Sequence, residues 1–214
     1  MRPWQEAARA VCRRARDLVA ITGAGISVDS GLPDASQVVR DYQMQGIFSS
    51  HHAHRHQREF CRLYTELANR WGAAAPNQAH LALARRHAKI ITLNLDGLHT
   101  QAGSRDVIEL HGSLRSFRCL QCGARHSQPD ELTACVCGVC SGALWPDVVL
   151  EGEPVRHLGL ALEWLSFADA LLIIGTSLSD NPVRQLPQIA KENGAPVIVV
   201  NRRADDWVPY YLET

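Results

Sequence analysis

Several things are missing from this 214-residue chain, and each absence removes a class of function. Neither sign of charge is in excess: 22 basic residues stand against 22 acidic ones. A nucleic-acid or anionic-membrane surface needs surplus positive charge, so neither partner is expected. No apolar run approaches the ~20 residues that span a bilayer. There is no internal repeat and no low-complexity tract, which sets aside repeat arrays and disordered tails. A secreted disulfide framework is not expected either. The seven cysteines are an odd number, and five fall between 119 and 140 in close-spaced groups. That clustering points to metal and to a reducing cytoplasm. Cys12 and Cys61 stand apart on helical patterns, as small buried or half-buried residues.

What is present suits one domain with a small inserted module. Hydrophobic residues make up 46%, enough for a sizeable core. Residues 4–16 read as an amphipathic first helix, in preference to a targeting segment. Short apolar runs at 18–22, 89–93, 107–110, 170–174 and 197–201 read as strands. Between them lie helical patterns at 58–71, after Asn77, at 155–166 and near 183–193. In the first, Phe60, Leu63, Tyr64, Leu67 and Trp71 recur three and four apart. Asn77 is placed to cap the second. Strands alternating with helices predict an α/β fold with a parallel, doubly wound sheet. Two stretches do not fit it. Residues 35–58 look irregular, and their histidines at 51, 52, 54 and 56 read as a solvated loop or helix start. Residues 117–145 have few apolar positions and need metal to hold a shape.

Three segments place polar groups where open α/β sheets bind ligands, at the carboxyl ends of strands. In LVAITGAGISVDSGLPD, residues 18–34, a strand runs into Gly23-Ala24-Gly25. The glycines permit a tight turn and close backbone approach to a phosphate, with helix N-terminal amides facing the anion. The third glycine of G-x-G-x-x-G is absent and Ser27 stands nearby. In ITLNLDGLHTQAGS, residues 91–104, Asn94 and Asp96 end a second strand. VIELHGS then brings His111 to the end of a third. A histidine there can act as general base near neutral pH, or serve as a structural group bonded to backbone. In LLIIGTSLSDNP the strand–glycine–hydroxyl pattern returns, with Gly175, Thr176 and Ser177, and Asn201 ends the last strand. No acidic residue ends a strand about 20 residues after the first glycine turn. That sets aside a simple dehydrogenase fingerprint.

The cysteines form two knuckles, Cys119-x-x-Cys122 and Cys137-x-x-Cys140. Four thiolates so spaced fit a tetrahedral zinc site. Such a site has no open position, so the metal is structural. Cys135 either replaces Cys137 or sits beside the site as a spare thiol. The knuckle spacing favours Cys137.

In this order the segments resemble the sirtuin family: GAGISVDSGLPD, PNQAHLAL, TLNLDGLHTQAGS, VIELHGS, the two knuckles, PDVVLEGE and GTSLSDNP. The resemblance runs from residue 20 to about 201. It implies a Rossmann-like NAD domain over 1–34, 76–116 and 146–214, with helices on both faces of the sheet. A shortened helical and cofactor-loop segment follows at 35–75, and a structural zinc module at 117–145. It further implies an NAD-dependent protein-lysine deacylase that releases nicotinamide and O-acyl-ADP-ribose. His111 would be the base, assisted by Asn94. Gly23, Ala24, Gly25, Ser27, Asp34, Asn94, Asp96, Gly175, Thr176, Ser177 and Asn201 would contact NAD. Val148, Val149 and Glu151 would meet the acyl-lysine substrate.

The chain departs from that pattern at the reacting end. Ala35-Ser36 stand where the family has Phe-Arg, which removes a hydrophobic shield and a guanidinium fork. Arg40 is a candidate substitute for the latter. Leu93 stands for a glutamine, and Glu151 for a phenylalanine beside the acyl tunnel. A carboxylate there suits an apolar acyl chain poorly and a cationic acceptor better. Little chain follows Asn201 for the loop and helix the family places near the adenine. These departures keep two alternatives open: an ADP-ribosyltransferase or NAD glycohydrolase with a small-molecule acceptor, and a module that binds NAD or ADP-ribose without turnover.

Overall fold

A computed structural model of the chain describes residues 3–34, 37, 49–127, 135–179 and 181–213. Its centre is five short strands: β1 (Leu18–Thr22), β2 (Lys89–Thr92), β3 (Val107–Glu109), β7 (Ala170–Ile174) and β8 (Val197–Val200). All pair in parallel, in the order β3-β2-β1-β7-β8. Central parallel strands are covered on both faces and so read as unbroken apolar runs. β1 and β7 are LVAIT and ALLII, buried at every position.

Alternation along each strand divides the core in two. Leu18, Ala20, Leu172 and Ile174 face one layer, built from α1 (Pro3–Arg14), α4 (Gln78–Arg85) and α8 (Ala204–Leu212). Val19, Ile21, Leu171 and Ile173 face the other, where α6 (Leu158–Ser166) and α7 (Leu186–Glu192) bring Ala161, Leu165, Leu186 and Ala190. Asn77 caps α4 by accepting the Ala79 and His80 amides. A cap of this kind is worth about 1 kcal/mol. α8 corrects the expectation that the chain ends without a helix after Asn201. Its Val208, Tyr211 and Leu212 are buried in the first layer.

The second region is smaller. α2 (Ser50–Arg55) and α3 (Gln57–Gly72) pack on an antiparallel sheet of β4 (Gly112–Cys119), β5 (Arg125–Ser127) and β6 (Leu144–Val148), in the order β5-β4-β6. Phe60, Tyr64 and Leu67 of α3 bury against Leu114, Trp145 and Val148. The irregular reading of 50–58 is thus corrected to helix, and the stretch beyond 117 begins and ends in strands. α5 (Leu98–Gln101) is a single turn between β2 and β3. Among the described residues no helix is long and apolar enough to cross a membrane.

Candidate functional site

At the carboxyl edge of the sheet the β1 and β7 loops are fastened together by backbone alone. The Gly23 amide donates to the Ile174 carbonyl at 3.0 Å and the Gly25 amide to the Gly175 carbonyl at 2.9 Å. A Cβ on Gly25 would lie 2.6 Å from Gly175 Cα. Gly175 has φ +63, and a Cβ there would run into the Ile26 amide nitrogen. Both positions need glycine for space, and Gly175 for its dihedral as well.

Around this junction lies a cleft of about 730 Å³. Gly23, Ala24, Gly25, Asp34, Asn94, His111, Gly175, Thr176, Ser177 and Asn201 all line it. These are ten of the sequence candidates, brought together from the ends of all five parallel strands. Ser27 and Asp96 stand behind the wall instead. Ser27 Oγ donates to Asp96 Oδ2 at 2.7 Å, and Asp96 Oδ1 accepts the Leu98 amide. Asn94 Nδ2 donates to the Gly23 carbonyl and to Ser27 Oγ, each at 3.2 Å. Asn94 therefore ties β2 to the glycine turn.

His111 is bonded to backbone and also lines the cleft. Its Nδ1 lies 3.2 Å from the Leu93 carbonyl, which can only accept, so Nδ1 carries the proton. The ring lines the cleft, and in its neutral form Nε2 is the nitrogen that holds the lone pair.

Behind Asn94 runs a buried chain of polar groups. His99 Nε2 donates to Thr22 Oγ1 at 2.9 Å, Thr22 Oγ1 donates to Thr92 Oγ1, and Thr92 Oγ1 accepts the Asn94 amide. The His80 and His99 rings are 4.8 Å apart. Burial pulls His80 down to about 4 and His99 well below the usual histidine range, so both are neutral. Glu109, at the end of β3, is pushed up to about 7, first by burial and then by the Asp96 and Asp147 carboxylates.

The four knuckle cysteines converge. Cys119 and Cys140 sulfurs are 3.4 Å apart, Cys122 and Cys137 sulfurs 3.7 Å, and all four lie within 4.8 Å. Zinc bound to thiolates at about 2.3 Å separates its sulfurs by about 3.8 Å, so the set fits zinc. The Cys122 and Gln121 amides point at Cys119 Sγ and lower that thiol to about 6, favouring the thiolate a metal takes. Cys135 is neither a ligand nor a spare thiol, because it forms a disulfide with Cys61 of α3. That also corrects the reading of Cys61 as an unlinked buried residue. The pairing joins residues 74 apart, and nothing in the local spacing announces it. Cys12 stays a free buried thiol, pushed up to about 11 by burial. Among the described residues the histidines near 51–56 form no metal cluster. His54 stacks on Trp145 instead, with centroids 4.9 Å apart.

Val148, Val149 and Glu151 do not line the cleft but adjoin its His111 end. The Val149 amide donates to the His111 carbonyl, and Val148 registers with Gly112. Val148 is buried and Glu151 exposed. Ala35, Ser36 and Arg40 lie outside the described residues. Val28, Asp29, Leu178, Ser179, Val183, Arg202 and Arg203 also line the cleft and were not singled out from the sequence. Arg202 and Arg203 were findable: they follow Asn201 at the end of β8, where the strand-end rule already pointed.

The Sir2 family model matches residues 23–182 of the chain. This protein belongs to the Sir2 family, the sirtuins. The NAD-dependent protein deacetylase of Caldivirga maquilingensis is 34% identical over 217 residues, covering 95% of this chain and 84% of that protein. The one from Sulfolobus acidocaldarius is 38% identical over 199 residues, covering 86% and 78%. An ADP-ribose complex of a Sir2 homologue superposes with a TM-score of 0.88 at 28% identity, covering 97% of this chain and 94% of that one. A Sir2 homologue–NAD complex gives 0.85 at the same identity, covering 97% and 93%. The sirtuin fold thus includes this parallel sheet and a four-cysteine module that fits structural zinc.

Proposed function

We propose that this sirtuin is an NAD-dependent protein-lysine deacylase, with His111 as general base. The observation that carries the reading is the meeting of His111, Asn94 and the glycine junction in one cleft. The Gly23–Gly25 turn offers backbone to the diphosphate. Asn94, fixed by Gly23 and Ser27, lines the cleft beside Leu93 and His111. NAD, when bound, would supply a ribose carbon at which the acyl-lysine amide oxygen displaces nicotinamide, which leaves free. The Leu93 carbonyl holds the His111 proton on Nδ1, so Nε2 is the atom that takes a proton from a ribose hydroxyl. The zinc module places β4 and β6 beside His111 and takes no part in proton transfer.

The test is nicotinamide release from NAD, with and without acyl-lysine peptides. His111→Ala should lower turnover about 10²–10⁴-fold. Turnover that survives the substitution removes His111 from the role. The exposed Glu151, in the segment hydrogen-bonded to His111, favours one second reading: transfer of ADP-ribose to a cationic acceptor. Mass spectrometry of products separates the two, since O-acyl-ADP-ribose belongs only to deacylation.

A further inference from the structure

The loop between β6 and α6, residues 149–157, folds back over the corner where β3 meets β4. Its Arg156 amide donates to the Leu110 carbonyl at 2.9 Å, and its Val149 amide to the His111 carbonyl at 2.8 Å. From the sheet side the Leu110 amide donates to the Thr92 carbonyl at 3.0 Å. The backbone on both sides of His111 is therefore gripped by this loop. The next residue, Gly112, has φ +79, and a Cβ there would run into the Asp147 carbonyl. Backbone lies directly on backbone at this corner. The place of Asp147 thus decides the place of Gly112, and with it that of His111.

One side chain fixes Asp147 from within the loop. Arg156 Nη1 donates to Asp147 Oδ1 at 2.8 Å and to the Asp147 carbonyl at 3.2 Å. That carbonyl is the atom against which Gly112 packs. Arg156 thus holds Leu110 with its amide and Asp147 with its guanidinium, and so closes the loop at both ends. The second Asp147 oxygen meets Arg125 at 3.0 Å and Ser116 Oγ at 3.3 Å, both from the antiparallel sheet. The two arginines are not equal. The Arg125 side chain is 74% exposed and that of Arg156 30%. Solvent and salt screen an exposed pair and weaken a shielded, charge-assisted one much less.

Arg156 does not line the cleft, so its effect on the chemistry runs through Asp147 and the backbone. We propose that Arg156 is a positioning residue for His111: by clamping Asp147 it keeps the imidazole in line with the Leu93 carbonyl. The bond to that carbonyl sets which ring nitrogen carries the proton, so a loosened clamp frees the tautomer. The proposal rests on the reading of His111 as general base.

Nitrogen NMR of the imidazoles in the zinc-loaded protein tests it, with the His111 signals identified by their loss in His111→Ala. The unaltered protein should show His111 protonated on Nδ1 alone, and Arg156→Ala should show a mixture of tautomers. In the same variant kcat for acyl-lysine peptides should fall by up to about 10²-fold, the cost of a displacement near 1 Å. The KM for NAD should change less than about twofold, because the clamp touches no cleft residue but His111. Arg156→Lys, which keeps the charge and a donor, should recover at least about tenfold of the lost kcat. Should Arg156→Ala fail to fold, Arg156→Gln takes its place in the comparison. A loss of kcat with the tautomer unchanged, or no change in either, overturns the clamp. If the unaltered protein turns over no acyl-lysine peptide, the deacylase reading fails and the tautomer spectra alone decide the clamp.

Discussion

The two ends of the cleft are held by different means. At the glycine junction the contacts are backbone on backbone, Gly23 to Ile174 and Gly25 to Gly175. At the His111 end they run through side chains: His111 to Leu93, Asn94 to Ser27, Ser27 to Asp96, and His99 to Thr22. A backbone site has no side chain to vary and tolerates only glycine. A side-chain site can be retuned residue by residue, and its titratable members make it sensitive to pH. The departures from the family pattern that fall on described residues, Leu93 and Glu151, belong to the second kind.

The sharpest way to break this contrast is Gly175→Ala. The new methyl has no room against Ile26 and a left-handed dihedral to bear. Strain of this kind costs about 1–3 kcal/mol. NAD binding should be lost by the thermal-shift assay while zinc content stays unchanged. Retained NAD binding would show that the junction is not rigid.

Next in size is the pair of cysteine variants in the zinc module. Cys137→Ser should lower bound zinc well below one per chain, whereas Cys135→Ser should leave it near one. The second variant instead frees Cys61. Opening a crosslink between residues 74 apart costs up to about 4 kcal/mol by loop entropy, so a dithiol reductant should lower the melting temperature of the unaltered protein and not that of Cys135→Ser. Zinc loss in Cys135→Ser would reverse the assignment.

The smallest effects are those of pH, and they have opposite signs. His80 titrates near 4 in the folded chain, below its unfolded value, so unfolding takes up protons on the acid side. That stability is present above about pH 6.5 and falls away towards pH 4. Glu109 behaves the other way. Its folded value near 7 lies above the unfolded one, so its contribution is present below about 4.5 and is lost as pH rises through 7. Glu109→Gln should therefore raise the melting temperature at pH 8 by about 2–4 °C and change little at pH 4. His99→Gln should flatten the acid side by removing a second imidazole that burial, and then His80, hold well below the usual range. Parallel pH profiles for all three proteins would show that the polar network does not titrate as described.

Much of this was legible in the chain. The run ALLII is apolar throughout and LVAIT is apolar up to Thr22, because parallel strands are buried on both faces, so the central sheet could be read directly. Asn77 announced its helix because an amide side chain before an apolar pattern has few other uses. The knuckles announced their metal, since four thiolates at that spacing have one common purpose. Other features were not legible. Ser27 and Asp96 looked like cofactor contacts because sequence gives position along a strand end, not depth behind the wall. The helix Ala204–Leu212 was overlooked because Pro209 and a short span obscure its pattern.

By itself, then, the sequence determined the five parallel strands, the glycine turns, the cysteine knuckles and the family, because each is encoded in residues a few positions apart; the three antiparallel strands were not read from it. Only the tertiary structure decided that Cys135 pairs with Cys61, that His111 is held by Leu93, and that Arg202 and Arg203 face the same cleft as Gly23. Those contacts join residues tens of positions apart. Sheet order, which no local pattern carries, is what brings them together.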